Sequence, residues 1–303
     1  MAQPAISVRG LTKRYGAQEA VRGIDFEVAA GEVFGFLGPN GAGKTTTIEI
    51  LEGYRSRTGG EVSVLGTDPE HAGPAWRDRI GLVLQECELD GRLTVRETVT
   101  LFAGLFDAPR PVDETIQLVG LGGQADARVG SLSGGQRRRV DVAVGIVGDP
   151  ELVFLDEPTT GFDPSARREA WNMIDGLRSL GKTIFLTTHY MDEAQHLADR
   201  VAIINAGAIA AEGTPDNLGG DRRTTISFHR PDGLALDELE AAVGARPALS
   251  GAEISIEVDD PQGTLLGLLR FAEERGIRLD DLEVRRASLE DVFLQLVGPG
   301  GAG

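Results

Sequence analysis

The chain has 303 residues, 47 acidic against 30 basic side chains, a net charge of −17, and an apolar share of 41%. That apolar share excludes a disordered chain, and the length favours one large domain with a smaller one. The acidity excludes a general nucleic-acid surface, because the one dense basic run, Arg137-Arg138-Arg139, is too short to form a groove.

Short strands open the chain. Ile6-Ser7-Val8 is followed by Ile24 to Val28, whose alternation suits a half-buried strand. Val33 to Leu37 is a continuous apolar run, as expected of a strand covered on both faces. A helix is predicted over Thr45 to Leu51, and strands over Glu61 to Leu65 and Ile80 to Leu84. Residues 90–150 read as mostly helical, and Leu152 to Leu155 is the next buried strand. Asp163-Pro164 caps and opens a helix whose Ala170, Met173, Ile174, Leu177 and Leu180 follow helical spacing up to Gly181. Buried strands return at Thr183 to Leu186 and Val201 to Ile204, the second ending in a turn at Asn205-Ala206-Gly207. This alternation predicts an α/β core. A Gly- and charge-rich joint, Asn217 to Arg223, leads to a separate small α/β module. Its strands are predicted at Thr225 to Phe228, Glu253 to Val258 and Leu282 to Arg285, and its helices at Leu236 to Val243, Gly263 to Arg275 and Ser288 to Leu296. The tail from Gly298 to Gly303 is expected to be disordered.

No run approaches the roughly 18 apolar residues of a membrane span, and the N-terminus lacks a signal-peptide core, so a cytoplasmic location is expected. The single cysteine, Cys87, excludes an intrachain disulfide and a Cys-rich metal site and reads as a packing residue.

Gly38-Pro39-Asn40-Gly41-Ala42-Gly43-Lys44-Thr45 matches the phosphate-loop pattern G-x-x-x-x-G-K-[ST], with Thr46 following. It lies between a buried strand and a helix, the context the motif requires. Glycines let backbone N–H groups wrap a phosphate, and the helix N-terminus adds partial positive charge. Lys44 is placed to reach the β- and γ-phosphates and Thr45 to offer its hydroxyl to Mg²⁺, so ATP and Mg²⁺ are the expected cofactors. Asp156-Glu157 follows at once on Leu152 to Leu155. Alone, the pair is as well explained by exposed strand-end acids. Beside a phosphate loop, Asp156 reads as the Mg²⁺ residue and Glu157 as the group that polarises the attacking water.

Leu132-Ser133-Gly134-Gly135-Gln136 alone is a flexible turn capped by Ser133, but it lies about 20 residues before Asp156. With that order and spacing the chain resembles the ABC ATPases over about residues 5–217. The resemblance implies a P-loop NTPase core with an antiparallel β subdomain and a helical subdomain at about 88–148. The nucleotide-binding domain would span 1–218, and a small C-terminal accessory or regulatory domain 219–303. It also implies roles for further residues. Tyr15 would stack on adenine with Val21 nearby, and Gln85 would touch Mg²⁺ and sense the transport subunit. Thr160-Gly161-Phe162-Asp163 would contact an opposite subunit, with Phe162 standing where the family usually has Leu. His189 would contact the γ-phosphate. Ser133, Gly134, Gly135 and Gln136 would bind the ATP held by a second copy, making a head-to-tail dimer. Arg137 to Arg139 are expected to form a solvated or interface face rather than a phosphate contact. Each residue has an ordinary reading when isolated: Tyr15 a surface aromatic, Gln85 a polar strand end, Asp163 a helix cap, His189 a structural histidine.

The segment Ala287-Ser288-Leu289-Glu290-Asp291-Val292-Phe293-Leu294, physically an amphipathic helix, resembles the tail of the daunorubicin-resistance type of exporter ATPases. That resemblance implies a separate membrane-spanning permease, a peripheral place on the inner face of the cell membrane, and export of a drug or other amphipathic compound. Two alternatives are a soluble ABC ATPase of translation or repair and an importer ATPase with a regulatory C-terminal domain. The first usually carries a second cassette or coiled-coil or zinc insertions, which this chain lacks.

Overall fold

A computed structural model of the chain describes residues 3–84, 88–218, 224–231, 234–286 and 289–297. These form two compact units, the first running to Leu218 and taking in Leu296 and Val297, the second lying between them in sequence.

In the first unit β1 (Ile6–Tyr15) and β2 (Gln18–Val28) form an antiparallel hairpin that turns at Gly16 with φ 58°. After β3 (Val33–Leu37) and α1 (Lys44–Leu51), β4 (Gly59–Val64) returns to pair with β1, giving the order β2-β1-β4. Next come α2 (Pro74–Arg77), β5 (Ile80–Val83), α3 (Val95–Ala103), α4 (Val112–Leu118) and α5 (Gly134–Ile146). Then follow β6 (Leu152–Asp156), α6 (Pro164–Ser179), β7 (Thr183–Thr188), α7 (Met191–Leu197), β8 (Arg200–Asn205) and β9 (Ala208–Gly213). The six-stranded sheet has the order β5-β6-β7-β3-β8-β9 and is parallel except at β9.

Both faces of this sheet are buried, which accounts for the unbroken apolar runs. Phe34, Phe36, Leu152, Phe154 and Phe185 face a core shared with α1 and the three-stranded sheet. Val33, Val153, Leu155, Ile184 and Leu186 face a second core with Val95, Val99, Ile116, Val140 and Ile146 of the helical segment. Phe185 is the hub of the first core, with ring centroids 5.6 Å from Phe36 and 5.8 Å from both Phe34 and Phe154. Truncating such a ring to Ala costs about 3–5 kcal/mol, so the strand ends that carry the site rest on a stiff support.

Some expectations need correction. Leu180 is not part of the buried stripe of α6. It falls at the C-cap, past the last full turn, and is 45% exposed. The strand β9 was not predicted, because Ala208 to Gly213 is rich in small residues with weak strand preference, and its pairing with β8 decides its state. Residues 90–150 also contain more turns than expected, with two 3-10 turns between α4 and α5.

The second unit holds β10 (Thr224–His229), α8 (Leu236–Val243), β11 (Pro247–Ser250), β12 (Glu253–Val258), α9 (Pro261–Arg275) and β13 (Glu283–Arg286). Helix α10 (Leu289–Val297) ends the described chain. The strands form one antiparallel sheet ordered β11-β12-β10-β13. Ile226, Phe228, Ile254 and Ile256 pack with Leu239 of α8 and Leu268 of α9. The unpredicted β11 begins with Pro247 and lies at the sheet edge, where a residue without an N–H is tolerated.

Candidate active site

The register of the parallel sheet brings the site together. Leu37 of β3 lies beside Thr188 of β7, and Asp156 of β6 beside Thr187 of β7, so three loops leave the same sheet edge. The loop between β3 and α1 needs its glycines. A Cβ on Gly38 would stand 2.4 Å from the Ile204 carbonyl oxygen, and one on Gly43, at φ 111°, 2.7 Å from that of Ala20. Gly43 is also the N-cap of α1 and supplies no side-chain acceptor, so no capping side chain occupies the first-turn N–H groups. Lys44 is 5% exposed. Its Nζ donates to the carbonyls of Gly38 (2.7 Å) and Pro39 (3.2 Å) and lies 3.7 Å from Glu157 Oε1. Burial holds the Lys44 amine below its ordinary pKa, against the opposing pull of Glu157 and Asp156.

Asp156 ends β6, and its Oδ1 accepts a hydrogen bond from the Thr187 hydroxyl. Burial pushes its carboxyl above the ordinary range, with the Thr187 bond working the other way. Glu157 has left-handed backbone, φ 45°, a conformation that costs a residue with a Cβ about 1–3 kcal/mol. Its N–H donates to both the carbonyl and the hydroxyl of Thr187, each at 3.1 Å. Its carboxylate accepts from Thr160 Oγ1 at 3.2 Å. His189 Nδ1 lies 3.3 Å from Glu157 Oε2 without hydrogen-bond geometry.

Lys44, Glu157 and His189 line one cleft of about 780 Å³, within the size range of small-ligand sites, whereas Asp156, Gly38 and Pro39 are not among its lining residues. Of the sequence-predicted residues, Tyr15, Asn40, Gly41, Gly43, Lys44, Thr45, Thr46, Glu157 and His189 meet there with Thr160 of the expected contact loop, and Gln18 and Ala20 are added. Val21, expected beside the adenine ring, is completely buried in the core, and Ala20 and Gln18 line the cleft in its place. Ala42 is likewise 3% exposed and packs inward. Gln85 and Cys87 lie outside the described residues.

The second predicted cluster lines a different cleft, of about 1240 Å³. Ser133 to Gln136 and Asp163 sit there with Phe162, and Thr160 borders both clefts. Ser133 Oγ accepts from the Gln136 N–H at 3.2 Å, and Gln136 Oε1 accepts from the Ser133 N–H at 3.0 Å, a reciprocal cap on α5. Asp163 caps α6 by accepting from the N–H groups of Ser165 and Ala166 at 2.8 and 2.9 Å.

Of the basic run at the start of α5, Arg137 is exposed as expected of a solvated or interface face, but Arg138 is not. Helical spacing turns Arg138 inward, where it is 8% exposed. Its guanidinium donates to the carbonyls of Asp156 (3.0 Å), Pro158 (3.3 Å) and Leu84, and Asp141 lies 3.7 Å away. A buried guanidinium is tolerated where carbonyls satisfy its N–H groups, and here it ties α5 to two strand ends. Arg137 donates to the Leu132 carbonyl and Arg139 pairs with Glu169.

Among the described residues no group of three His, Cys, Asp or Glu side chains could hold a metal by itself. A hydroxyl at Thr45 and a carboxylate at Asp156 suit instead a hard cation that arrives with phosphate oxygens.

The comparisons with known proteins extend these observations to the whole chain. A family model described as ABC transporter matches residues 21–160, and one described as ABC transporter domain-containing protein-like, C-terminal domain, matches residues 224–288. The daunorubicin resistance ATP-binding protein DrrA3 of Streptomyces coeruleorubidus is 40% identical, over 98% of this chain and 97% of its own. The chain belongs to the ABC transporter family, as an ATP-binding subunit. The Nod factor export ATP-binding protein I of Burkholderia orbicola (strain AU 1054) is 39% identical to this ABC subunit, over 98% of each chain. Among solved structures, cbiO1 of Clostridium perfringens, part of the ABC transporter complex cbiONQ, matches with a TM-score of 0.64 and 26% identity. That match covers 71% of this chain and 90% of the other. The ABC subunit is therefore an ATPase with the P-loop NTPase fold. Among its described residues no helix is long and apolar enough to cross a membrane.

Sequence reasoning missed Thr187, gave Thr160 only a role in the subunit contact, and did not separate Arg138 from its neighbours. Thr187 had a signal, a hydroxyl inside the otherwise apolar strand run after Thr183. Arg138 had none, because only the orientation of α5 distinguishes it from its two neighbours.

Proposed function

We propose that this ABC ATPase works as a head-to-tail homodimer on the inner face of the membrane. There it drives a separate membrane subunit that exports a drug or other amphipathic compound. The observation that carries the dimer is the separation of two half-sites on one chain, with Lys44, Glu157 and His189 lining one cleft and the Ser133 turn lining another. A second copy placed head to tail would bring its Ser133, Gly134, Gly135 and Gln136 to the phosphates held at Lys44, and Asp163 into the contact. Export is supported by the two relatives, whose names refer to drug resistance and to Nod factor export and which align over nearly their full length. The cassette then covers residues 1–218, with its helical subdomain at about 88–148, and residues 219–303 form the accessory domain.

In this reading Tyr15 stacks on adenine, and the backbone amides of the loop take the β- and γ-phosphates. Lys44 exchanges the carbonyls of Gly38 and Pro39 for phosphate oxygens, which restores the charge that burial disfavours. Thr45 and Asp156 are the residues that would hold Mg²⁺, joined by Gln85 on the family resemblance. The ion, when bound, supplies neutralising charge at the phosphates. Glu157 polarises the attacking water, and His189 beside it contacts the γ-phosphate. The γ-phosphate joins the two copies, so its loss opens the dimer.

The test is the Glu157→Gln variant of the full chain. It should bind ATP, lose at least about 100-fold in turnover, and form a dimer by light scattering with Mg-ATP. Monomers alone under those conditions would remove the shared-site reading. Substrate accumulation in inside-out vesicles carrying the membrane subunit would support export, and loss from them would reverse the direction.

A further inference from the structure

Strand β7 is buried at all six of its positions, yet it ends in two threonines. A hydroxyl in such a place needs partners. Thr187 lies opposite Asp156 in the parallel register. Its Oγ1 donates to Asp156 Oδ1 and accepts the Glu157 N–H at 3.1 Å. A hydroxyl has one donor and two lone pairs, so a single side chain serves both acids at once. The Thr187 carbonyl accepts the same Glu157 N–H, also at 3.1 Å. Glu157 is the residue held in left-handed backbone, and that turn sets its carboxylate 3.7 Å from Lys44 Nζ.

We infer that Thr187 is a positioning residue for ATP hydrolysis, fixing the Asp156 carboxylate and the Glu157 backbone through one hydroxyl. This rests on the proposed roles of Asp156 and Glu157. Thr187 touches neither nucleotide nor water in this scheme. The backbone bond from its carbonyl survives any substitution, so the hydroxyl is the separable part. Its two bonds join the acid assigned to the metal with the acid assigned to water, so losing it should disturb both functions together.

The test uses the full chain with Thr187→Val, which keeps the shape and removes the hydroxyl, and Thr187→Ser, which keeps the hydroxyl. Thr187→Val should bind ATP without Mg²⁺ within about 2-fold of wild type, because the Lys44 loop is untouched. The extra affinity that Mg²⁺ confers and the turnover should both fall, by about 10–100-fold, as for supporting partners of metal-site carboxylates. Amide exchange in peptides covering residues 154–160 of the nucleotide-free chain should speed up, a readout that needs neither metal nor turnover. Thr187→Ser should restore all three. Wild-type turnover and exchange in Thr187→Val would overturn the inference. So would a Thr187→Ser variant that melts like wild type but is as defective as Thr187→Val. If Thr187→Val fails to fold, the decision passes to Thr187→Ser, where retained turnover supports the inference and lost turnover in a folded chain ends it. Glu157→Gln is measured alongside, and wild-type turnover there would sink the base assignment itself.

Discussion

Two helix N-termini, those of α1 and α5, each line one of the two clefts, and they are finished in opposite ways. The start of α1 follows glycines at φ 81° and 111° and has no side-chain cap, and the Lys44 amine there donates to loop carbonyls beside Glu157. The start of α5 is closed by the reciprocal bonds of Ser133 and Gln136, and the helix is anchored from beneath by Arg138. An open end keeps its hydrogen-bonding capacity for a ligand, at the cost of a buried cation that is poorly solvated without one. A capped end gives up part of that capacity and is rigid beforehand. One chain thus carries a reactive end and a docking end, which fits a site completed by a second copy.

The strongest way to break this contrast is at the open end. Lys44→Ala removes a buried cation that a phosphate would stabilise and leaves the loop backbone in place. ATP affinity should fall by about 10–100-fold, the equivalent of losing a hydrogen bond to a charged group. The nucleotide-free chain should melt no lower than wild type, because burial already disfavours the charged amine. Equilibrium dialysis and a thermal melt measure the two. Undiminished ATP affinity would mean that the α1 end is not the phosphate site.

The capped end should respond more weakly and in a different observable. Ser133→Ala removes the acceptor for the Gln136 N–H, a change that costs a helix about 1 kcal/mol. ATP binding by the separate chain should be unaffected. The ATP-driven dimer, measured by sedimentation in a Glu157→Gln background, should weaken by about 5–10-fold, which is that cost converted to an equilibrium constant. A fall in monomer ATP affinity as large as that of Lys44→Ala would erase the distinction between the two ends.

The same contrast explains which features were readable from the chain alone. The open end was legible because its constraint is local. Closely spaced glycines, a lysine and a threonine between a strand and a helix can do few other things, and Val33 to Leu37 and Leu152 to Leu155 announced their burial by composition. What escaped depends on register or on the orientation of one helix. Thr187 matters because β7 is parallel to β6 with Asp156 opposite, and nothing within Thr183 to Thr188 states that pairing. Arg138 matters because the inward side of α5 falls on the middle of three arginines. Val21 was misplaced for the same reason, since one residue along β2 separates the cleft face, where Ala20 lies, from the core. The small strands β9 and β11 were invisible because pairing, not side-chain preference, makes them strands.

The smallest expected effect lies at the other end of α1. Glu52 is its C-cap, and burial, reinforced by Asp156 and Glu49, raises its carboxyl from 4.5 to about 8. The folded chain therefore holds a proton on Glu52 that the unfolded chain has released, over the interval between those values. Folding stability from this group is complete below about pH 4.5 and is lost as the pH climbs toward about 8. Glu52→Gln, which cannot ionise, should remove that slope. Its melting temperature should match wild type near pH 5 and exceed it by a few degrees at pH 8, both without nucleotide. The corresponding change in α5, Asp141→Asn, concerns an acid raised only to about 6 and already beside Arg138, so its slope should end at lower pH. If wild type and Glu52→Gln lose stability in parallel from pH 5 to 8, then Glu52 is ionised in the fold and the negative charge gathered behind the phosphate loop is less confined than its burial implies.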